Sequence, residues 1–187
     1  MKIKIEGTKA VFGPVRLSYA HLDQPTAMPG ESADKAKYSA NVLIPKSETA
    51  LIAGLQKAIK AAYDAGVMNK WDGKAPKEWH SPLRDGDDKE SGGAEYQNVY
   101  YLNATNYDRP CIIDANKDEI FNVKEEIYSG VWANVSINFY AYKFMSNKGV
   151  GCGINGVQKA KDGDRFSGAG GSAADFDGFD SEEDDEL

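Results

Sequence analysis

Residues 128–144 read YSGVWANVSINFYAYKF, a stretch that alternates strictly between two kinds of side chain. A period of two residues is typical of a β-strand with one buried face. The odd positions form an apolar face that we expect in the core: Val131, Ala133, Val135, Ile137, Phe139 and Ala141. The even positions carry rings and short polar groups: Trp132, Asn134, Ser136, Asn138, Tyr140, Tyr142 and Phe144. The stretch therefore predicts a long β-strand with two chemically different faces.

The even-numbered face is neither apolar nor charged. A solvated face favours Lys, Glu and Thr, whereas a face covered by another layer favours Val, Ile and Leu. Rings interleaved with amides and hydroxyls suit unpaired nucleic-acid bases, because every base has a π-face on which a ring can stack. The same kind of face recurs at Tyr101, Asn103, Thr105 and Tyr107, and a neighbouring strand of this type would extend the platform. The alternative is that these rings pack under a helix or at a dimer interface.

Further strands are predicted at residues 10–20, 37–45, 98–105, 109–113 and 149–158. In the first of them Gly13 and Pro14 interrupt the ladder and indicate a bulge or bend. We expect one face of that strand to carry Val11, Val15, Leu17 and Tyr19, and the other to carry Phe12, Arg16 and Ser18. One amphipathic helix is predicted to begin at Ser47 and to end at Gly66, followed by a long loop over residues 67–97. These elements predict a mainly β, Greek-key barrel with one main helix and long loops.

The C-terminal segment differs sharply from the rest of the chain in charge. Residues 166–187, FSGAGGSAADFDGFDSEEDDEL, contain eight of the chain's 29 acidic residues and none of its 22 basic residues, which leaves residues 1–165 with 21 acids and a net charge of +1. Repelling charges and glycines predict a disordered acidic tail after one folded domain at 1–165. The tail either solubilises the protein, competes with an anionic ligand, or binds partner proteins. Its candidate partner-binding residues are Asp175, Phe176, Asp177, Phe179, Asp180, Glu182, Glu183, Asp184, Asp185 and Glu186.

Basic residues beside the predicted strands are candidates for binding a phosphate backbone. They are Lys37, Lys46, Arg84, Arg109, Lys143 and Lys148. Because the body has a net charge of only +1, binding would depend on a local groove and on stacking more than on global charge, with a modest dependence on salt. Together with the rings and amides, the candidate nucleic-acid-binding residues are Trp132, Asn134, Asn138, Tyr140, Tyr142, Tyr101, Asn103, Lys143, Arg109, Arg84 and Lys46.

Signals of catalysis or cofactor binding are weak. Cys111 and Cys152 are isolated, so we expect two buried thiols and no zinc site. The acids of RDGDD at 84–88 lack the flanking ligands of a calcium loop, and we expect a charged turn in which Arg84 pairs locally. No stretch has the length or hydropathy of a membrane span or of a secretion signal, which predicts a cytoplasmic location without a membrane. We therefore expect no catalytic residue, no metal and no cofactor.

Four segments together resemble a bacteriophage single-stranded-DNA-binding family: YSANVLIPK at 38–46, PLRDGD at 82–87, YSGVWANVSINFYAY at 128–142 and KGVGCGINGVQK at 148–159. The order of the segments, the helix after IPK, the tryptophan of KWDGK at 70–74 and the acidic end also match. The resemblance implies an OB-fold and the protection of single-stranded DNA (ssDNA) during phage replication or recombination. The family motifs mix core and surface positions, so the site residues above depend on periodicity alone.

The leading hypothesis is a non-enzymatic, largely sequence-independent ssDNA-binding protein whose tail modulates DNA access and recruits replication or recombination proteins. RNA and duplex DNA are possible weaker ligands, and a homodimer or a cooperative assembly on DNA is compatible with the sequence. An alternative is a protein-interaction module, either a DNA mimic or an adaptor, that acts through its acidic tail. A third alternative is a metal-dependent nuclease that uses the RDGDD acids at 84–88.

Overall fold

The computed structural model describes residues 1–166, so the predicted tail residues from 167 onward, including those expected to bind partners, lie outside the described residues. Strands and helices follow in the order β1 (Lys2–Glu6), β2 (Lys9–Thr26), β3 (Lys37–Pro45), α1 (Thr49–Asn69), β4 (Leu83–Asp85), β5 (Val99–Asn106), β6 (Cys111–Ile113), α2 (Val123–Glu126), β7 (Trp132–Phe144) and β8 (Asn147–Lys161).

Five of the strands close into a barrel. The sheet runs β4-β5-β3-β2-β7-β8-β6, with β1 paired to β2, and β5 closes on β8 through a parallel pairing of Thr105 with Gly153. Strands β2, β3, β5, β8 and β7 form the closed barrel. The expected mainly β, OB-fold-like barrel with one main helix is thereby confirmed. The two predicted platform strands, β5 and β7, are not direct neighbours, because β8 lies between them.

The two faces of β7 are confirmed as predicted. Val131, Val135 and Phe139 are at most 2% exposed, whereas Tyr140 on the opposite face is 43% exposed. Helix α1 lies against the odd face, where Ala141 contacts the helix glycine Gly66. The even-numbered rings of β7 are therefore not covered by the helix.

The face prediction for β2 is wrong before Gly13, at Val11 and Phe12, and after Ser18, at Tyr19, because bulges change the parity of the strand. The register with β7 shifts between Phe12 and Val15, at the Gly13-Pro14 interruption, and Phe12 joins the core with Val15 and Leu17. A second irregularity follows Ser18 in the pairing with β3. There Tyr19 has a positive φ of 45° and a side chain that is 48% exposed. Each extra residue moves the following side chains to the other face of the strand.

Three further expectations need correction. Helix α1 begins at Thr49 without a side-chain cap from Ser47, and it continues past Gly66 to Asn69. Gly66 is buried because the helix packs closely there: a Cβ at this position would lie 2.4 Å from the Ala141 Cβ. Cys152 is buried as expected, but Cys111 is exposed, because β6 pairs with β8 at the end of the sheet order.

Candidate nucleic-acid interface

A groove of about 630 Å³ crosses the outer face of the barrel. It runs over β3 and β5, with the end of β2 on one side and Tyr140 of β7 on the other. The register places Ser39 beside Thr105 and Asn41 beside Asn103, so the floor consists of short polar side chains. In OB-folds this face is the one that binds oligonucleotides. The residues that carry the site are Tyr19, Lys35, Lys37, Ser39, Asn41, Lys89, Asn103, Thr105 and Tyr140.

Tyr140 provides one exposed ring of this groove, and the glycines of β8 make room for it. Gly151 is its cross-strand partner, and a Cβ at Gly151 would lie 2.6 Å from the Tyr140 ring. Gly153 makes the same kind of room for Asn138, and Gly149 for Tyr142. Burial raises the pKa of the Tyr140 hydroxyl above its ordinary value. Because these glycines place no side chains on the outer face of β8, Tyr140 and the residues of β5 line one groove although their strands are not paired.

Two lysines that line the groove lie over aromatic rings. The Lys37 ammonium is 4.7 Å from the Tyr107 ring centroid. The Lys89 ammonium lies 5.8, 5.2 and 5.3 Å from the centroids of Tyr19, Tyr96 and Tyr101. Within residues 1–166, neither lysine has a carboxylate oxygen within 4.0 Å. Their charge is therefore available to an anionic ligand.

One end of the groove is bounded by residues 86–98, which we call the wall loop. Its anchor is Tyr96, which is 1% exposed and whose hydroxyl accepts a 2.7 Å hydrogen bond from the Asn41 side-chain amide. The start of the wall loop is fixed by Lys46, whose ammonium lies 2.7 Å from carboxylate oxygens of both Asp85 and Asp87. Hydrogen bonds from Lys46 lower the pKa of both carboxyl groups, and the two carboxylates raise the pKa of Lys46.

The structure brings only part of the predicted set into the groove. Tyr140 and Asn103 line it, and Asn138 lies beside Tyr140 in an adjoining pocket. Tyr101 is 7% exposed and packs edge-on against Tyr96 at 5.3 Å, so it supports the wall loop from below. The Lys46 ammonium is occupied by its ion pairs with Asp85 and Asp87. The expectation that Arg84 pairs with the aspartates of this turn is therefore wrong, because Lys46 is their partner.

The remaining predicted residues lie elsewhere on the barrel. Trp132 is at the opposite end of β7, and the Asn134 amide donates to the Gln158 side chain at 3.0 Å. Tyr142 lies over Gly149, beyond Tyr140. Two predicted cations have distant carboxylate partners: Lys143 is 3.9 Å from Asp72, and Arg109 is 4.0 Å from Glu119. Arg84 is exposed on β4.

Sequence reasoning missed Tyr19, Lys35, Ser39, Asn41 and Lys89. Alternation places Tyr19 on the same face as Val15 and Leu17, which are buried, and the bulge after Ser18 that turns it outward has no glycine or proline to mark it. Lys89 lies in a long polar loop, and nothing in its local sequence shows that Tyr96 folds this loop back onto β3. The exposed ring of Tyr19 and the lysines Lys35 and Lys89 could have been found only as a set brought together by the barrel.

Neither a metal cluster nor a membrane helix is found in the described part of the chain. Residues 1–166 contain no group of three His, Cys, Asp or Glu side chains arranged to hold a metal ion. Two of the RDGDD acids, Asp85 and Asp87, bind Lys46 instead. No described helix is sufficiently long and apolar to cross a membrane.

Comparison with known proteins bears on the family and the fold of the chain. A protein of Acyrthosiphon pisum secondary endosymbiont phage 1, described as putative protein p50, is 37% identical over 100% of this chain and 98% of its own. The solved structure of the single-stranded DNA-binding protein from bacteriophage Enc34 in complex with ssDNA is 25% identical, with a TM-score of 0.75 over 86% of this chain and 90% of that one. The crystal structure of gp2.5, a single-stranded DNA-binding protein encoded by bacteriophage T7, shares the fold at 14% identity, with a TM-score of 0.60 over 88% and 97% of the two chains.

The family model described as the ssDNA-binding protein of Enterobacter phage Enc34 matches residues 8–187. This match confirms the resemblance that the four sequence segments indicate. Because the model spans nearly the whole chain and the phage relative is 37% identical over its full length, this chain belongs to the family of the Enterobacter phage Enc34 ssDNA-binding protein.

Proposed function

We propose that this protein binds single-stranded DNA in the groove over β3 and β5, largely without regard to sequence and without a catalytic step. The observation that carries the proposal is the composition of this one groove. It combines the exposed ring of Tyr140, the lysines Lys37 and Lys89, and the amides of Asn41 and Asn103. A ring to stack a base, cations for phosphates and short amides for base edges are the elements of sequence-tolerant ssDNA binding.

Each group has a definite role in this mechanism. Tyr140 and Tyr19 stack bases, because both rings are more than 40% exposed and border the same groove. Lys37 and Lys89 bind phosphates, since their ammonium groups lie over rings and carry no carboxylate partner within the described residues. Stacking and phosphate contacts carry little sequence information, so we expect ssDNA oligonucleotides of different sequence to bind with similar affinity.

The tail belongs to the proposal through its charge and its rings. We propose that its eight carboxylates compete with phosphates for the groove lysines and that its rings recruit replication or recombination proteins. Replacing the eight carboxylates by amides in the full chain should then raise ssDNA affinity, and more so at low salt, because salt screens both competitors. Equal affinities of the two proteins at low salt would leave only partner recruitment as the role of the tail.

The biological role that fits this activity is the protection of ssDNA during phage replication or recombination in the host cytoplasm. Family membership and the ssDNA complex of the Enc34 protein support it. Duplex DNA is expected to bind more weakly, because stacking requires unpaired bases. RNA is the other weaker ligand of the proposal, and stacking alone does not distinguish it from ssDNA. Self-association on DNA is part of the same proposal and is testable by the steepness of the binding isotherm.

The deciding experiment is a set of titrations of the full chain with labelled ssDNA, duplex DNA and RNA of equal length at two salt concentrations. We expect ssDNA to bind most tightly, and Tyr140→Ala to reduce its affinity while Phe144→Ala, an exposed ring at the end of β7, serves as the matched control. Incubation of the labelled DNA with the protein and Mg²⁺ or Mn²⁺ should leave the DNA intact. Equal binding of duplex and single strand, or cleavage of the DNA, would contradict the proposal.

A further inference from the structure

A second group of cations and rings lies at the end of β7 opposite to Tyr140. Two cations lie close to the ring of Trp132: the Arg16 guanidinium carbon is 5.6 Å from its centroid and the Lys161 ammonium is 5.1 Å from it. The same guanidinium lies 4.1 Å from the centroid of Phe166. We call Arg16, Trp132, Lys161 and Phe166 the end cluster. Its combination of rings and cations repeats that of the groove.

The charges of the end cluster are not neutralised by the folded part of the chain. Within residues 1–166, no carboxylate oxygen lies within 4.0 Å of Arg16 or Lys161. The nearby Lys159 differs, because its ammonium is bound by carboxylates, one of them Asp162 at 2.8 Å. Arg16 is held by backbone carbonyls instead, with Nε donating to the Gly130 oxygen at 3.0 Å and Nη2 donating to the Asp164 oxygen. These contacts fix the guanidinium and leave its positive charge available.

The end cluster lies on the same surface as the groove, beyond the wall loop. In the pairing of β2 with β3, Ser18 faces Asn41 and Arg16 faces Leu43. Arg16 is therefore only two residues along the strand from the groove floor, a distance of roughly 7 Å. Between the two, the wall-loop residue Tyr96 packs over Leu43 together with Phe166. A DNA strand that leaves the groove across the wall loop would therefore reach the end cluster next.

We propose that the end cluster is a second contact site for the same DNA strand, used only by strands that extend beyond the groove; this inference rests on the proposed ssDNA-binding function. Lys161 and Arg16 contact phosphates, and the uncovered part of the Trp132 ring contacts a base. Single-stranded nucleic acid is the ligand that needs both a cation and a ring at one place, because each nucleotide brings a phosphate and a π-face. An acidic peptide without aromatic rings would use the cations alone.

The test uses full-length protein and compares short with long oligonucleotides. Lys161→Gln removes one exposed cation at the end of β8, and Lys57→Gln on the exposed side of α1 is the matched control. With an oligonucleotide of about 5 nucleotides, which fits one groove, we expect both variants to bind within about twofold of wild type. With an oligonucleotide of about 16 nucleotides, Lys161→Gln should lose about three- to tenfold in affinity. The slope of its log affinity against log salt concentration should become shallower by about 0.7.

A second readout follows Trp132 itself. The chain has three tryptophans, and Trp71 is fully buried. The long oligonucleotide should quench more of the emission of wild type than of Trp132→Phe, whereas the short one should quench both equally. If Lys161→Gln binds the long oligonucleotide as tightly as wild type does, the inference is overturned and groove binding is unaffected. An equal loss of affinity for the short and the long oligonucleotide overturns it too. A gain of ssDNA affinity in Lys161→Gln also overturns it, because the cluster then holds an acidic segment. Failure of wild type to bind either oligonucleotide refutes the groove function instead.

Discussion

Tyr140 on β7 lies directly over Gly151 on β8, so closely that a Cβ at residue 151 would come within 2.6 Å of the tyrosine ring. The ring is thus held across the neighbouring strand, with 43% of its surface left exposed above the groove. Because β8 also separates Tyr140 from Thr105 on β5, a side chain at 151 would stand between the ring and the groove floor. The glycine is therefore as much a part of the candidate site as the tyrosine.

The first prediction concerns this pair. Gly151→Ala should displace the Tyr140 ring and weaken ssDNA binding by an amount close to that of Tyr140→Ala, about 1–3 kcal/mol. The double variant should bind no more weakly than Tyr140→Ala, because both changes remove the same contact. Equilibrium titration of the two single variants and the double variant, with Gly156→Ala on the same strand as control, measures the coupling. Losses that add in the double variant would show that Gly151 acts independently of the ring.

The second prediction separates the two faces of β7. Tyr140→Ala should weaken ssDNA binding by about 1–3 kcal/mol with little change in the free energy of unfolding. Phe139→Ala should destabilise the protein by about 3–5 kcal/mol, because Phe139 is 2% exposed and its loss leaves a cavity. Chemical denaturation and ssDNA titration of both variants test this. The opposite outcome, unfolding by Tyr140→Ala and weak binding by Phe139→Ala, is incompatible with the assigned faces.

The sequence predicts β7 well and β2 poorly, for a physical reason. Thirteen residues of β7 keep one parity, so each side chain reports its face directly. In the predicted stretch 10–20 of β2, two irregularities change the parity, and only the first, at Gly13-Pro14, has a sequence signal. The bulge that exposes Tyr19 places an ordinary residue at φ 45°, which no local propensity favours.

The candidate site is only partly predictable, because it depends on contacts between residues that are distant in sequence. The outward-facing positions of Tyr140 and Asn103 follow from the period of two residues in their strands. The roles of Lys46 and Tyr101 do not, since they follow from the wall loop folding back onto β3 through the Tyr96–Asn41 hydrogen bond. Periodicity shows which way a side chain points, whereas these roles depend on what covers it.

The third prediction compares two glycines of α1. Replacing a helix glycine by alanine stabilises an exposed helix by about 1 kcal/mol. Gly54→Ala should approach that gain, because the only atoms near its new Cβ belong to the flexible Ile5 side chain. Gly66→Ala should instead cost about 1–3 kcal/mol, because its Cβ would lie 2.4 Å from Ala141 and 3.1 Å from the buried Trp71 ring. Denaturant unfolding of both variants measures the difference, and equal stabilisation would mean that α1 does not pack on β7 as described.

The last prediction concerns the ion pairs that fix the wall loop. Lys46 lowers the pKa of Asp85 and Asp87 below their ordinary value of 3.8, so the unfolded chain binds protons that the folded chain does not. The stability contributed by these pairs is therefore complete above pH 3.8 and is lost as the pH falls through the lowered pKa values. Lys46→Met should lower the melting temperature at neutral pH, and its deficit relative to wild type should shrink on acidification.

Lys4→Met is the matched control for that series. It breaks an exposed pair with Glu6 at 3.3 Å, which contributes little to stability at any pH. Lys46→Met should also bind a short ssDNA nearly as well as wild type at neutral pH, because its ammonium is occupied by carboxylates and does not face the groove. A large loss of affinity without loss of stability would mean that Lys46 leaves its aspartates to bind phosphate, as the sequence alone suggests. Thermal melts across the acidic range and one titration at neutral pH decide between the two roles.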